Sequence, residues 1–332
     1  KDLLIVRDLL LKLWGFFGAG KRKAFVSLLL LMVIASFAEV ISLGVVLPFL
    51  GMLVAPEQVY DYFVIRLLAD YLQVDSAKDL QLPLTVIFSC AALFAGGMRL
   101  FLMKKTLSFS VMVGADISSS IYERTLFQPY EVHSSRNSSE IINSITTKVN
   151  TIVSNVVLPT LAIISSIIML TFVSTALLAI NPIIALVCIF GFGFMYVVVT
   201  LVTRLKIERN SVKIARESSK VVKFLQEGIG GIRDILIDGN QSMYCRMYRE
   251  SDYPLKKAQG ENQFIAGSPR FAMEAMSMVF IAVFAYFLIN HSNADANVIA
   301  ILGTFAIGAQ RMLPALQQTY ACFTNIKGSK QS

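Results

Sequence analysis

The chain has 332 residues, of which 55% are hydrophobic and only 16% are charged, and its formal net charge is +8. A soluble domain carries about 25% charged and roughly 45–50% apolar residues, so this composition excludes an ordinary soluble fold and a disordered chain. The four Cys and two His residues also argue against a disulfide scaffold or a structural zinc domain.

Six apolar runs are long enough to cross a hydrocarbon core of roughly 30 Å, which takes about 20 helical residues. They cover residues 24–54, 82–103, 153–180, 182–202, 271–289 and 298–316. The first run is too long for a signal peptide, whose apolar region has about 7–15 residues. The sequence Asn181-Pro182 is a turn signal that joins the third and fourth runs in a tight hairpin. We therefore predict an all-α membrane protein with six transmembrane helices.

The basic residues predict the orientation of these spans. Residues 55–81 hold two basic and five acidic side chains, and residues 290–297 hold no basic one. Residues 104–152 hold five basic side chains, and residues 203–270 hold thirteen. Cytoplasmic loops carry the Lys/Arg excess, so both termini and the two long segments are predicted to be cytoplasmic. Basic residues at this membrane face suit anionic lipid, and no nucleic acid partner is predicted.

The two long cytoplasmic segments show the periodicity of helices. In the first, Ile141, Ile145, Val149 and Ile152 recur every three or four residues, and this helix is expected to continue into the third span without a break. Each extension of about 20 residues would reach roughly 30 Å beyond the membrane. We call their ends the first tip (residues 128–137) and the second tip (residues 232–240). The alternative is that both segments are merely large loops of a transporter or channel.

Five charged residues lie within or at the edge of the spans: Glu39, Arg99, Arg270, Glu274 and Arg311. A charge at the bilayer centre costs about 2.5–3.5 kcal/mol, so these side chains need partners or water. One interpretation pairs Glu39 with Arg99, and Glu274 with Arg270 or Arg311, as packing devices. The other is a basic lining for an anionic substrate, because the planar guanidinium donates two parallel hydrogen bonds to a phosphate.

Residues 59–73 are predicted to form an amphipathic helix in the outer membrane interface. Its apolar side includes Tyr60, Phe63, Leu67 and Tyr71. The helix either caps the outer ends of the spans or contacts the lipid tails of a cargo.

No catalytic or metal site is predicted. Residues 15–22 read GFFGAGKR, which is one residue short of a P-loop. A P-loop requires Ser or Thr after the Lys to hold magnesium, and Arg22 stands at that position.

Four stretches carry a family resemblance: SFAEVISLGVVLPFL (36–50), GGIRDILIDGN (230–240), GSPRFAMEA (267–275) and QRMLPALQQ (310–318). They resemble the transmembrane domain of type IV ABC exporters, and most closely the bacterial lipid-linked oligosaccharide flippases of the PglK type. The resemblance extends from about residue 21 to residue 325. We divide the chain into a cytoplasmic N-terminal segment (1–23), the transmembrane domain (24–326) and a linker (327–332).

The resemblance implies a homodimer that exchanges helices between its subunits. ATP and Mg²⁺ would bind to nucleotide-binding domains that these 332 residues do not contain and that are either fused or separate. The tips would dock on those domains as coupling helices, and the five charged residues would line the cavity. Relatives tend to carry a basic residue where this chain has Gln318. The tip residues that this implies are Gln128, Pro129, Tyr130, His133, Arg136, Arg233, Asp234 and Asp238.

The expected function is ATP-driven, alternating-access flipping of an anionic amphiphile across the bacterial inner membrane. A lipid-linked oligosaccharide or a related glycolipid is the expected cargo. The alternatives are an exporter of lipid A, drugs or peptides, and an ATP-independent membrane enzyme or channel.

Overall fold

The computed structural model describes residues 19–54, 65–67, 70, 79–135, 141–142, 144–180, 182–291 and 296–329. These residues are helical almost throughout and contain no strand. The prediction of an all-α fold is confirmed.

Nine α-helices organise the described part of the chain. The first half contains α1 (Ala19–Val54), α2 (Gln81–Leu126), α3 (Tyr130–Ser135), α4 (Val149–Ile152) and α5 (Leu158–Ile180). The second half contains α6 (Pro182–Gly230), α7 (Ile232–Asp238), α8 (Gln241–His291) and α9 (Ala296–Ser329). Two π-helical segments, Ser144–Lys148 and Val153–Val157, flank α4 and complete the helix that leads into α5.

Three helical stretches of the described residues are long and apolar enough to cross a membrane. They are Gly20–Leu53, Gln81–Leu126 and Ile145–Ile180. A bent pair, Ile189–Thr203 and Leu205–Gly230, meets at 41° and provides a fourth candidate. The predicted spans 271–289 and 298–316 fall within α8 and α9, and the total of six spans stays a prediction.

Helix α1 forms the centre of the apolar packing. Near its start, Phe25 and Met32 are buried against Phe109 of α2 and Leu161 of α5. Further along, Leu43 is buried against α5 and α9 in a second cluster. In contrast, only 6% of the residues in the most apolar stretch of α2 are buried, so most of its side chains are free to contact lipid.

The helix that leads into the third span continues to Ile180 without a break, as expected, but it is not α-helical throughout. The N–H of Leu158 donates to the carbonyl of Val153, five residues earlier, which is a π-type hydrogen bond. Pro159 follows at once and lacks the N–H that would bond to the Asn155 carbonyl in an α-helix. The proline therefore gives a local reason for the wider turn.

Helices α6 and α8 form an antiparallel hairpin with α7 at its end. Asn210 is buried between them, and its Nδ2 donates to Glu261 Oε2 (3.3 Å) and to Asn262 Oδ1 (3.1 Å). The hydrogen bond from Asn210 and the nearby Lys206 ammonium lower the pKa of Glu261 below its ordinary value. Glu261 therefore stays a carboxylate, and these polar contacts hold α6 and α8 together at this point of the hairpin.

Gly114 of α2 packs directly against the π-helical segment. A Cβ atom at this position would lie 2.6 Å from Cγ2 of Val153, whose branched side chain has little freedom to move. We expect Gly114→Ala to lower the free energy of unfolding by about 1–3 kcal/mol because of this overpacking. Unfolding in detergent, followed by temperature or denaturant, measures the change.

Gly96→Ala is the matched control on the same helix, since nothing lies within 4 Å of a Cβ there. It gains the ordinary helix preference of Ala over Gly, about 1 kcal/mol, without a clash. Adding Val153→Ala to Gly114→Ala should recover most of the loss. Equal stability of the Gly114→Ala and Gly96→Ala variants would contradict the close packing.

Candidate functional site

The carboxylate of Glu39 on α1 joins two arginines from other helices. Its side chain is 4% exposed. Oε1 lies 2.8 Å from Nη2 of Arg99 on α2 in an ion pair without hydrogen-bond geometry, and Oε2 accepts a hydrogen bond from Nη1 of Arg311 on α9. We call Glu39, Arg99 and Arg311 the charged triad. It connects the first two long helices of the transmembrane domain, α1 and α2, to its last helix, α9.

The charged triad carries one positive charge in excess. A buried carboxylate without partners would be strongly disfavoured, and two guanidinium groups offset its loss of hydration. Arg311 is 25% exposed, whereas Arg99 is 51% exposed. Nη2 of Arg99 also lies 3.9 Å from Sδ of Met169 on α5. The excess charge is therefore most accessible at Arg99.

The other two predicted charges form a separate pair on α8. Nε of Arg270 donates to Oε1 of Glu274, one helical turn later, at 2.9 Å. Their side chains are 64% and 42% exposed, respectively. The structure thus pairs Arg311 with Glu39, while Glu274 pairs with Arg270. The five charges do not form a single cluster, and the excess of positive charge lies in the charged triad alone.

Two cavities adjoin these charges. The larger, of about 770 Å³, lies between α8 and α9 and contains Arg270 and Glu274 in its wall. The smaller, of about 440 Å³, lies between α1, α2, the third-span helix and α9, and its wall contains Glu39 and Arg99. Gln318 lines both cavities, so this one side chain of α9 marks where they adjoin.

The glutamines of α9 were not selected as site residues from the sequence. Gln310, Gln317 and Gln318 all line the larger cavity. Nε2 of Gln317 is buried and has no hydrogen-bond partner among the described residues. The spacing i, i+7, i+8 places the three amides on one helical face. The sequence contains this spacing, but the predicted sixth span ends at residue 316 and therefore excludes Gln317 and Gln318.

Exposed apolar side chains lie on or beside both tips. Phe127 and Tyr130 are 84% and 83% exposed at the first tip. Ile237 on α7 is 72% exposed at the second tip, where Leu236 is also exposed. The predicted tip residues Gln128, Pro129, His133, Arg233, Asp234 and Asp238 lie on or beside α3 and α7, and Arg136 lies outside the described residues.

The predicted outer helix falls largely outside the described residues. Tyr60, Phe63 and Tyr71 belong to the part of the chain that is not described, and Leu67 is an exposed helical residue. The role of this helix stays a prediction. Within the described ranges, no group of three or more His, Cys, Asp or Glu side chains is arranged to hold a metal ion.

The long apolar helices, their polar extensions and the charged cavities between helices are typical of a multi-pass membrane transport domain. Residues 41–310 match the family model of the ABC transporter transmembrane region. The chain belongs to this family, whose members work in ATP-driven transport together with nucleotide-binding domains and are often dimeric. A comparison with curated proteins found no significant match. Glu39 and Arg311 of the charged triad lie just outside the two ends of the matched region.

Removing Arg311 should be far more damaging to stability than removing Arg270. Arg311→Met leaves the buried Glu39 carboxylate with Arg99 alone, and we expect a loss of about 3 kcal/mol. Arg270→Met removes an exposed pair and should cost less than about 1 kcal/mol. Denaturant unfolding in detergent compares the two variants.

The second-site change Glu39→Gln tests the cause. It removes a buried carboxylate that has lost one of its two cationic partners, so the Arg311→Met/Glu39→Gln variant should be more stable than Arg311→Met. The burial argument fails if the double variant is the less stable of the two.

Proposed function

We propose that this chain is the membrane half of an ATP-driven flippase for an amphiphile with an anionic head group, most specifically a lipid-linked oligosaccharide. The observation that carries the proposal is the excess positive charge of the charged triad within the transmembrane bundle. Family membership supports ATP-driven transport over an enzyme or channel that needs no ATP.

The anionic group of the cargo is assigned to the side of Arg99 and Arg311. A charge held between spans is expensive, and such residues typically mark the path of a substrate or ion. Arginine suits a phosphate or diphosphate because its planar fork matches the geometry of the oxygens. The Arg270–Glu274 pair is electrically neutral, so it contributes polarity to the larger cavity and no excess charge.

The glycan is assigned to the larger cavity between α8 and α9. Side-chain amides both donate and accept hydrogen bonds, as sugar hydroxyls do. Gln310, Gln317 and Gln318 present such groups to a cavity of about 770 Å³, a size within the range of ligand pockets. The buried Nε2 of Gln317 would gain an acceptor there. The lipid tail would remain in the bilayer, where it can contact the exposed apolar surface of α2.

ATP binding would reach the cavities through the tips. Large apolar side chains exposed to the cytosol favour a protein partner, because neither water nor lipid tails satisfy them there. Phe127 and Tyr130 at the first tip, and Leu236 and Ile237 at the second, supply such surfaces. In this proposal, two copies of the chain form a homodimer in the bacterial inner membrane. Nucleotide-binding domains that hold ATP and Mg²⁺ dock on their tips.

Flipping of a fluorescent polyprenyl-diphosphate oligosaccharide tests the proposal. The transporter, assembled with its nucleotide-binding domains, is reconstituted in proteoliposomes, and the accessible glycan is followed with ATP present. We expect Arg99→Ala and Arg311→Ala each to reduce the initial rate about tenfold or more, because a charged contact to the phosphate is worth at least about 1.4 kcal/mol. Arg99→Lys should retain part of the rate, since the charge remains but the fork is lost.

Arg216→Ala, which removes an exposed arginine from the cytoplasmic part of α6, is the control and should stay within about twofold of the wild type. Rates of both triad variants within twofold of the wild type would overturn the anionic cargo. Transport of lipid A, a peptide or a neutral drug by the wild type, without glycolipid flipping, would instead support the alternative exporter.

Carboxylates placed on the second tip should weaken docking of the nucleotide-binding domains and so reduce ATP-driven transport. Leu236→Asp and Ile237→Asp put carboxylates on the proposed docking surface, and we expect transport to fall about tenfold while binding of the glycolipid persists. Ser242→Asp adds the same charge at the exposed start of α8 and serves as the control. The proposed docking surface is wrong if all three variants transport at the same rate.

A further inference from the structure

The two carboxylate oxygens of Glu39 hold the same guanidinium groups that the proposed function assigns to the cargo. Oε1 contacts Arg99 at 2.8 Å, and Oε2 accepts from Arg311. Each oxygen therefore faces a guanidinium group that the proposed function assigns to an oxygen of a phosphate. The arginines thus already bind an anion, and that anion is part of the protein.

From this geometry we propose that Glu39 is an internal competitor of the cargo's anionic group and determines how tightly that group is held. The inference rests on the proposed function and names the residue that tunes the same site. The cargo phosphate displaces the Glu39 carboxylate from one or both guanidinium groups. When the cargo leaves, the carboxylate binds them again.

The charges of the triad attract an anion but also limit how tightly it is bound. One carboxylate against two guanidinium groups leaves a single positive charge, which attracts an anion but does not hold it with full strength. A phosphate that arrives beside an ionised Glu39 is repelled by it at close range, because like charges interact strongly where water is largely excluded. Affinity is thereby limited, and an anion that binds too tightly would not be released on the far side.

The exposure of the two arginines indicates where displacement begins. Arg311 is 25% exposed and is held against the buried carboxylate, whereas Arg99 is 51% exposed and lines the cavity of about 440 Å³. An anion entering this cavity meets Arg99 first. Moving Arg99 from Glu39 to the anion breaks the ionic link between α1 and α2, while the link between α1 and α9 remains.

Displacement of Glu39 would couple cargo binding to helix movement. The charged triad connects α1, α2 and α9 when the site is empty, and cargo binding weakens one connection. Such coupling is reciprocal: whatever favours separation of α1 and α2 also favours binding of the anion. A merely structural Glu39 would behave in the opposite way, since its loss would disorganise the arginines and weaken anion binding.

Binding of dodecyl phosphate provides the test. This single-chain amphiphile carries the anionic group without the glycan, and its dissociation constant is measured by calorimetry on the detergent-solubilised transporter. We expect Glu39→Gln to lower the dissociation constant about fivefold or more, the scale of a typical coupling between sites. Adding Arg99→Ala to Glu39→Gln should abolish the gain. Dodecyl maltoside, which is uncharged, should show no such gain.

Glu217→Gln is the control because it neutralises a glutamate paired with Lys220 at 3.0 Å on the cytoplasmic part of α6. It should leave the affinity unchanged. In the flipping assay, Glu39→Gln should lower the apparent KM for the glycolipid and also lower kcat, because a cargo that is held more tightly is released more slowly.

The two assays separate the possible failures. An affinity for dodecyl phosphate that is unchanged or weaker in Glu39→Gln overturns the competition, whatever the wild type transports. A tighter affinity in this variant, combined with a wild type that flips no glycolipid, supports the competition at the triad and overturns the lipid-linked oligosaccharide as cargo. A lower kcat with an unchanged or higher KM would show that Glu39 only supports the structure of the site and does not compete with the cargo.

Discussion

The buried carboxylate of Glu39 is the constraint on which the arrangement of the transmembrane bundle depends. A carboxylate that is 4% exposed requires nearby positive charge, and the chain supplies it from helices that are far apart in sequence. Arg99 and Arg311 must both reach α1, which places α2 and α9 in contact with it. The apolar clusters around Phe25 and Leu43 then fill the space on α1 before and after this point. The ionic contact and the apolar packing thus specify the same neighbours for α1.

The triad also divides the site into parts with different chemistry. Positive charge in excess is found where three helices meet, whereas the Arg270–Glu274 pair on a single helix is neutral and largely exposed. A cargo with an anionic end and a polar, uncharged end would match that division. Gln318, which lines both cavities, stands between the two environments. The resemblance led us to expect a basic residue at this position. Because Gln318 is uncharged, the excess positive charge is confined to the triad.

Much of the fold could be predicted from the sequence because its signals are local. The first and third apolar runs end where α1 and α5 end, at Val54 and Ile180, and α6 begins at Pro182 as the turn signal predicts. Helices α2 and α6 continue well past their apolar runs, as the helical periodicity of the two long segments predicts. The π-type turn before Pro159 was not predicted, since apolar periodicity does not distinguish a five-residue hydrogen bond from a four-residue one. In the site, charge balance alone identified which side chains needed partners. It did not show that Arg311 pairs with Glu39, because residues 272 positions apart are brought together only by the packing of α1 on α9.

Helix α9 connects this site to the hairpin of α6 and α8 over a short distance. Tyr320 lies nine residues after Arg311, a rise of about 13 Å along the helix. Its ring is 2% exposed and packs with Ile207 of α6 and Ile265 of α8, and its hydroxyl lies 2.6 Å from Oγ1 of Thr203. A tilt of the hairpin would therefore be transmitted to α9 at Tyr320 and to the guanidinium group of Arg311 roughly two and a half turns away. Because Arg311 is held by Glu39, such a tilt would act directly on the ionic contact that organises the bundle.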